Sequence, residues 1–156
     1  MPALSRVATA RRWTAPDVDT VAALREAAMV EAASSRGGDL YVTRSAVSLP
    51  APDDAERPAW VGILGGAIVG YLLGRRDHLS DGRVLGVVDA IYVDAACRGV
   101  GVGEEMMAAA TAWFRTEGCF GVDALALPGA RATKNFFEES GFTARMLVMH
   151  HRFRDR

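Results

Sequence analysis

Apolar residues recur along this chain at two spacings, and the change from one to the other marks out its elements. Arg6 to Trp13 alternates well enough to predict a first strand. Pro16 and Asp17 then open a helix, because the fixed φ of proline suits a first turn and an acid there complements the helix dipole. Val18, Val21, Leu24, Ala28 and Met29 follow at three- and four-residue intervals, one apolar stripe that Gly37-Gly38 ends. Residues 39–58 carry no clear period: Leu40-Tyr41-Val42 fits either a short strand or a helical turn, and PAPDDAERP reads as a surface loop without regular structure.

Alternation returns in Trp60 to Leu64 and Ala67 to Leu73, a hairpin across Gly65-Gly66, and the turn HLSDG at 78–82 leads into a strand from Val84 to Val93. After a glycine-rich stretch, Met106, Met107, Ala110, Trp113 and Phe114 repeat at helical spacing as far as Gly118, and the stripe they form reads as core. Val122 to Leu127 is a strand, Ala130 to Ser140 a helix stopped by Gly141, and Phe142 to Phe153 a last strand. The order, with no internal repeat, predicts an α/β fold: a mixed sheet whose first half is an antiparallel meander and whose second half is built with crossover helices.

With 156 residues, half of them hydrophobic, a single domain spanning 1–156 is expected. The net charge of −1 gives no field to attract nucleic acid or an anionic membrane. Gly65-Gly66 splits the most apolar run, Ala59 to Leu73, which is shorter than the roughly 18 residues of a membrane helix, and arginines interrupt the N-terminus where a signal peptide would need an unbroken apolar stretch. Cys97 and Cys119 form no Cys-x-x-Cys pair and no histidine stands at ligand spacing, so reduced thiols, no metal and a cytoplasmic location are expected.

The chemistry centres on CRGVGVGEE, residues 97–105, where Gly99, Gly101 and Gly103 remove side chains at alternate positions between a strand and a helix. A helix N-terminus carries unpaired N–H donors and the positive end of the dipole, so such a junction can hold an anion. A dinucleotide fingerprint would need a third glycine where Glu104 stands, and a phosphate-binding P-loop would need Lys-Ser/Thr where Glu104-Glu105 follow Gly103. A plain turn using glycine for positive φ angles remains the alternative to an anion site.

Arg98-Gly99-Val100-Gly101-Val102-Gly103 matches the Q/R-x-x-G-x-G/A motif of the GNAT superfamily of acyl-CoA-dependent N-acetyltransferases. DAIYVDAACRGVGVG resembles that family's fourth strand and pyrophosphate loop, and KNFFEESGF, 134–142, resembles the helix and Gly-Phe pair that close its cofactor half; the likeness runs from about Ile68 to Phe153. The resemblance implies that backbone N–H groups from Arg98 through Gly99, Val100, Gly101 and Val102 to Gly103 bind the CoA pyrophosphate. It also implies that the pantetheine arm pairs with Ile91, Tyr92 and Val93 between two splayed strands, and that an amine attacks the acetyl thioester directly. A lysine-like amine is almost wholly protonated at pH 7, so a base must take its proton, and the resemblance points to Asp89, near the strand position where the family often carries a glutamate and on the face of Ile91 and Val93 by alternation. The resemblance also implies that the oxyanion donor comes from the backbone of the fourth strand, near Val93. Tyr92 lies on the opposite face unless a bulge intervenes, and Asp94 caps the turn. Lys134 could reach a CoA phosphate.

Three departures qualify the likeness. Phe137 stands where many members carry the tyrosine that protonates the CoA thiolate, which leaves Tyr92, water or direct release. Ala130 stands where the family has an asparagine, Asn135 falling elsewhere in the helix. After Gly141-Phe142 there is chain for one strand rather than two, so the sheet edge would be open, and a homodimer is expected to cover it. The basic end around His150, His151, Arg152 and Arg154 reads as a solvated edge. The acceptor would be a small-molecule or peptide amine, for which the acids Asp53, Asp54 and Glu56 are a candidate attractant. The alternative from another class is a non-catalytic acyl-CoA-binding module.

Overall fold

The computed structural model of the protein describes residues 7–44, 48–127 and 131–154. Its elements follow in the order β1 (Thr9–Arg12), α1 (Val18–Ala33), α2 (Gly38–Arg44), β2 (Ala59–Leu64), β3 (Ala67–His78), β4 (Val84–Val93), α3 (Val102–Thr116), β5 (Val122–Ala124) and α4 (Arg131–Glu139). The strands form one sheet ordered β1-β2-β3-β4-β5. The first four are mutually antiparallel and β5 joins β4 in parallel through the α3 crossover, which is the mixed α/β sheet expected from the pattern.

Local chemistry sets the boundaries. Asp17 ties down the start of α1: its carboxylate accepts from the Thr14 N–H at 2.8 Å and Thr14 hydroxyl at 3.0 Å, and Arg11 binds both of its oxygens. The β2–β3 turn puts Gly65 and Gly66 at φ 58° and 80°, the pair of positive angles that a tight hairpin turn of the right twist requires. Leu40-Tyr41-Val42 is helical, within α2. β3 continues past Leu73 to His78, paired throughout with β4, while β5 stops at Ala124, short of the Leu127 expected.

The sheet is covered on both faces. On one, Trp60, Leu72 and Val88 pack beneath Val102, Met106, Ala110 and Phe114 of α3 and Phe137 of α4, all buried. On the other, Trp13, Val61 and Tyr71 meet Val21, Leu24 and Ala28 of α1. The helical repeat read from Met106 to Phe114 is thus core. Phe114 sits in a slot made by two glycines: a Cβ on Gly86 would lie 2.7 Å from its ring and one on Gly74 2.9 Å from its tip, so any side chain there would force α3 off the sheet.

One expectation fails. Phe142 packs on Phe137, their ring centroids 5.6 Å apart, and its N–H donates to the Phe137 carbonyl, but among the described residues no strand follows it to Phe153. A strand exists only against a partner, and the free outer edge of β5 is only three residues long. Met146, Leu147, Val148 and Met149 are exposed, and Arg145 and Arg152 tether the segment to Asp123 of β5 and Asp39 of α2. Ala130 lies outside the described residues.

Candidate active site

The β3–β4 register contains the feature on which the site turns. Leu73 pairs with Ala90 and Gly74 with Val88, so Asp89 is an extra residue, a β-bulge. Simple alternation therefore breaks at Asp89, and the face expected for it is corrected. Ile91 and Val93 pack into the α3 side of the core, whereas Ala90 and Tyr92 pack into the α1 side. Asp89 turns to the α1 side, where its carboxylate pairs with Arg75 of β3, a residue whose predecessor, Gly74, faces α3. The bulge thus brings Asp89 to the face that carries Tyr92.

Three further groups fix Asp89. Arg75 is shared with Asp77 at 2.9 Å. The bulge frees the Asp89 carbonyl from the ladder, and the Tyr41 hydroxyl donates to it at 3.1 Å, which pins α2 over the strand. Burial pushes the Asp89 carboxyl above the ordinary carboxylate range, against the opposing charge of Arg75. Tyr71, buried beneath and 6.1 Å from the Tyr92 ring, has its phenol raised by burial in the same way.

Beyond the bulge β4 and β5 part. Their pairing ends at Val88 and Ala124, with one further bond from the Leu125 N–H to the Val88 carbonyl. The Asp94 N–H donates to the Val69 carbonyl at 2.8 Å on the β3 side, so by the pleat Val93 and Ile91 turn their N–H and C=O groups away from β3, into the gap. Within that gap the Val93 carbonyl accepts from Arg98 Nε at 2.9 Å. The same guanidinium lies 5.3 Å over the Tyr92 ring and makes two bonds to Glu31 of α1, at 3.0 and 2.7 Å. Arg98 is therefore a clasp joining loop, strand and helix through its side chain.

The loop after Arg98 has the form of an anion cradle. Gly99 and Gly101 take φ of 82° and 95°, and a Cβ at either would meet nothing within 4 Å, so the backbone borders open space. Asp94 caps the turn before it by accepting from the Ala96 N–H at 2.9 Å. Among the described residues none of the backbone N–H groups from Gly99 to Glu104 donates to a protein acceptor; the first helical bond here is from Glu105 to the Gly101 carbonyl. Glu104 and Glu105 are exposed on the outer side of that turn. Gly103 serves a different end, since a Cβ there would lie 3.2 Å from the Phe136 ring of α4. Donors, open space and a helix N-terminus fit a pyrophosphate.

Other residues singled out in the sequence are placed elsewhere. Phe137 is buried between Phe136 and Phe142. Lys134 is exposed, 3.6 Å from Glu138 on its own helix. In the 50–58 loop, Asp54 accepts from the N–H groups of Glu56 and Arg57, and Glu56 bonds Arg76 and His78. Cys97 and Cys119 are free thiols, both half-buried. Sequence reading missed Arg75, Tyr41 and Glu31; the run GRRDH displays the arginine, but only the register reveals what it faces.

The geometry agrees with comparison to known proteins. The model of the acetyltransferase (GNAT) family matches residues 22–142. Among curated protein sequences nothing matches the chain. Among solved structures, an aminoglycoside acetyltransferase from an uncultured soil metagenomic sample, in complex with sisomicin, superposes with a TM-score of 0.71 at 16% identity, covering 99% of this chain and 100% of that one. A ribosomal-protein-alanine N-acetyltransferase from Brucella melitensis biovar Abortus 2308 gives 0.70 at 19%, with 94% and 99% covered. The aminoglycoside N-acetyltransferase AAC(6')-Iy, solved with the bisubstrate analogue CoA-S-monomethyl-acetylneamine, gives 0.68 at 16%, with 95% and 99% covered. At these identities the solved structures establish the fold, and the match across most of the sequence establishes the family. With its bulged fourth strand, splayed fifth and glycine loop at the α3 N-terminus, this chain belongs to the GNAT family of acetyltransferases.

Proposed function

We propose that the protein transfers the acetyl group of acetyl-CoA to a primary amine by direct attack within a ternary complex. The observation that carries this reading is the continuity of an unpaired run of N–H groups, Gly99 to Glu104, with the open edge of β4 that ends at the Asp89 bulge. Acetyl-CoA supplies an acetyl group already activated as a thioester.

The chain's residues then have separable roles. Loop N–H groups and the α3 dipole hold the pyrophosphate. Ile91 offers an N–H and a C=O that pair with pantetheine as an added strand would. The N–H at Val93 is the donor for the oxyanion, its carbonyl being satisfied by Arg98. Asp89, four residues along β4 from Val93, takes the proton of the incoming ammonium through a chain of waters, and Arg75 orients the carboxylate. The C–N bond forms as the C–S bond breaks, the nitrogen gives its second proton to solvent, and the departing thiolate takes a proton from solvent or from the Tyr92 hydroxyl, which solvent then reprotonates, since Phe137 has no proton to give. The bisubstrate analogue bound by the structural relative is the kind of ligand that a ternary-complex enzyme accommodates.

The exposed run from Met146 to Met149 beside the short β5 supports a homodimer in which a second copy covers this edge.

Release of CoA thiol from acetyl-CoA, followed with a panel of amines, tests the proposal. Turnover that requires both substrates, with intersecting initial-rate lines, is expected. Parallel lines would replace direct attack with a covalent acetyl-enzyme, and tight acetyl-CoA binding without turnover of any amine would make the chain a binding module.

A further inference from the structure

A cleft of about 670 Å³ opens between α1 and α2. Its lining is mostly apolar, with Ala22, Met29, Val30, Val42 and Leu49, and also holds Arg25, Glu26 and Ser48. One end of it adjoins the candidate site. Leu49 packs against the cluster containing Tyr71, Ala90 and Tyr92, and Val42 follows Tyr41, whose hydroxyl holds the Asp89 carbonyl. The volume lies within the roughly 300–1,000 Å³ of small-molecule pockets.

Charge around the cleft is already balanced. Asp89 and Asp77 share Arg75, Glu31 is doubly bonded to Arg98, and Asp39 is bonded to Arg152. The lining itself carries one acid, Glu26, and one base, Arg25, so its formal charge is zero. A polycation brings several ammonium groups, each of which loses hydration on entry and needs an anionic partner that this lining does not hold in surplus.

We propose, on the reading that the site transfers acetyl groups to amines, that the acceptor is a small monoamine with an aromatic or branched-alkyl body. The body lies in the α1–α2 cleft against Leu49 and Met29, and the single amine reaches Asp89. Polyamines and aminoglycosides, which place second and third cations along the apolar walls, are poor acceptors. This distinguishes the chain from the aminoglycoside enzymes that share its fold.

The test compares phenethylamine and isoamylamine with spermidine and kanamycin at saturating acetyl-CoA. A kcat/KM about tenfold or more higher for the apolar monoamines is expected, the scale on which an apolar pocket discriminates. Leu49→Glu should raise the KM for phenethylamine about tenfold while the KM for acetyl-CoA stays within about twofold. Val30→Glu, at a position 76% exposed and therefore safe for folding, should shift preference the same way, toward spermidine. Preference of the wild type for spermidine or kanamycin, or indifference to both variants, would overturn the proposal while leaving acetyl transfer intact. Titration of phenethylamine alone separates the two readings: binding that Val30→Glu weakens, without turnover of any amine, upholds the cleft and removes acetyl transfer, and neither binding nor turnover removes both.

Discussion

A single inserted residue decides what the carboxylate of Asp89 can reach. Without the bulge it would share a face with Val93; with it, the side chain meets Arg75 and the carbonyl is handed to Tyr41. Asp89→Asn is expected to lower kcat/KM by about 10²–10⁴, the usual worth of a positioned general base. Because burial raises this carboxyl, the wild-type rate should fall at a pH above the ordinary carboxylate range as Asp89 takes up its proton, and the Asn variant should lack that limb. A pH–rate profile unchanged by the substitution would exclude Asp89 as the base. At Asp17 the sign is the reverse. Bonding from Arg11 and Thr14 holds this carboxyl down at about 2, so its contribution to folding is complete above the unfolded value near 3.8 and is lost as pH falls toward 2. Asp17→Asn should cost about 1–2 kcal/mol at neutral pH and flatten the acid side of the stability curve, which denaturant melts at pH 2 to 7 would register. Both aspartates stood out in the sequence as polar residues in suggestive places; their partners did not, because a bulge and a cross-strand pairing leave no local mark in composition.

Elements whose signal is periodic were legible, and elements whose form depends on a distant partner were not. The stripe of α3 and the meander of β2, β3 and β4 follow from spacing alone. Nothing local, by contrast, says that β5 should stop at Ala124 or that the chain after Phe142 should find no strand to pair with, since both depend on the length of a neighbouring edge. The packing of α3 also rests on a feature that periodicity does not display, the slot of Gly74 and Gly86 around Phe114. Gly86→Ala puts a methyl group 2.7 Å from that ring, and overpacking of this kind should destabilise the fold by about 1–3 kcal/mol in denaturant titration. No change in stability would mean that α3 is free to lift.

At the scale of the molecule, one end of the sheet is finished and the other is open. β1 is short and ends in two arginines, whereas β5 borders an apolar run that no described residue covers. The homodimer proposed to cover it predicts twice the chain mass in sedimentation at micromolar concentration, and Leu147→Lys should shift the population toward monomer; a sharp monomer peak from the wild type would remove the dimer. The family's loop was the most legible part of the whole, since its glycines answer to backbone angles and open space that a motif can encode. Its role is open to direct test by calorimetric titration of acetyl-CoA into the wild type and into Gly101→Glu, with circular dichroism to verify that the variant is folded. Micromolar binding by the wild type, lost when a carboxylate occupies the cradle, is the predicted result. Absence of binding by the wild type, or equal affinity in a folded variant, would contradict the assignment of this loop as the pyrophosphate site.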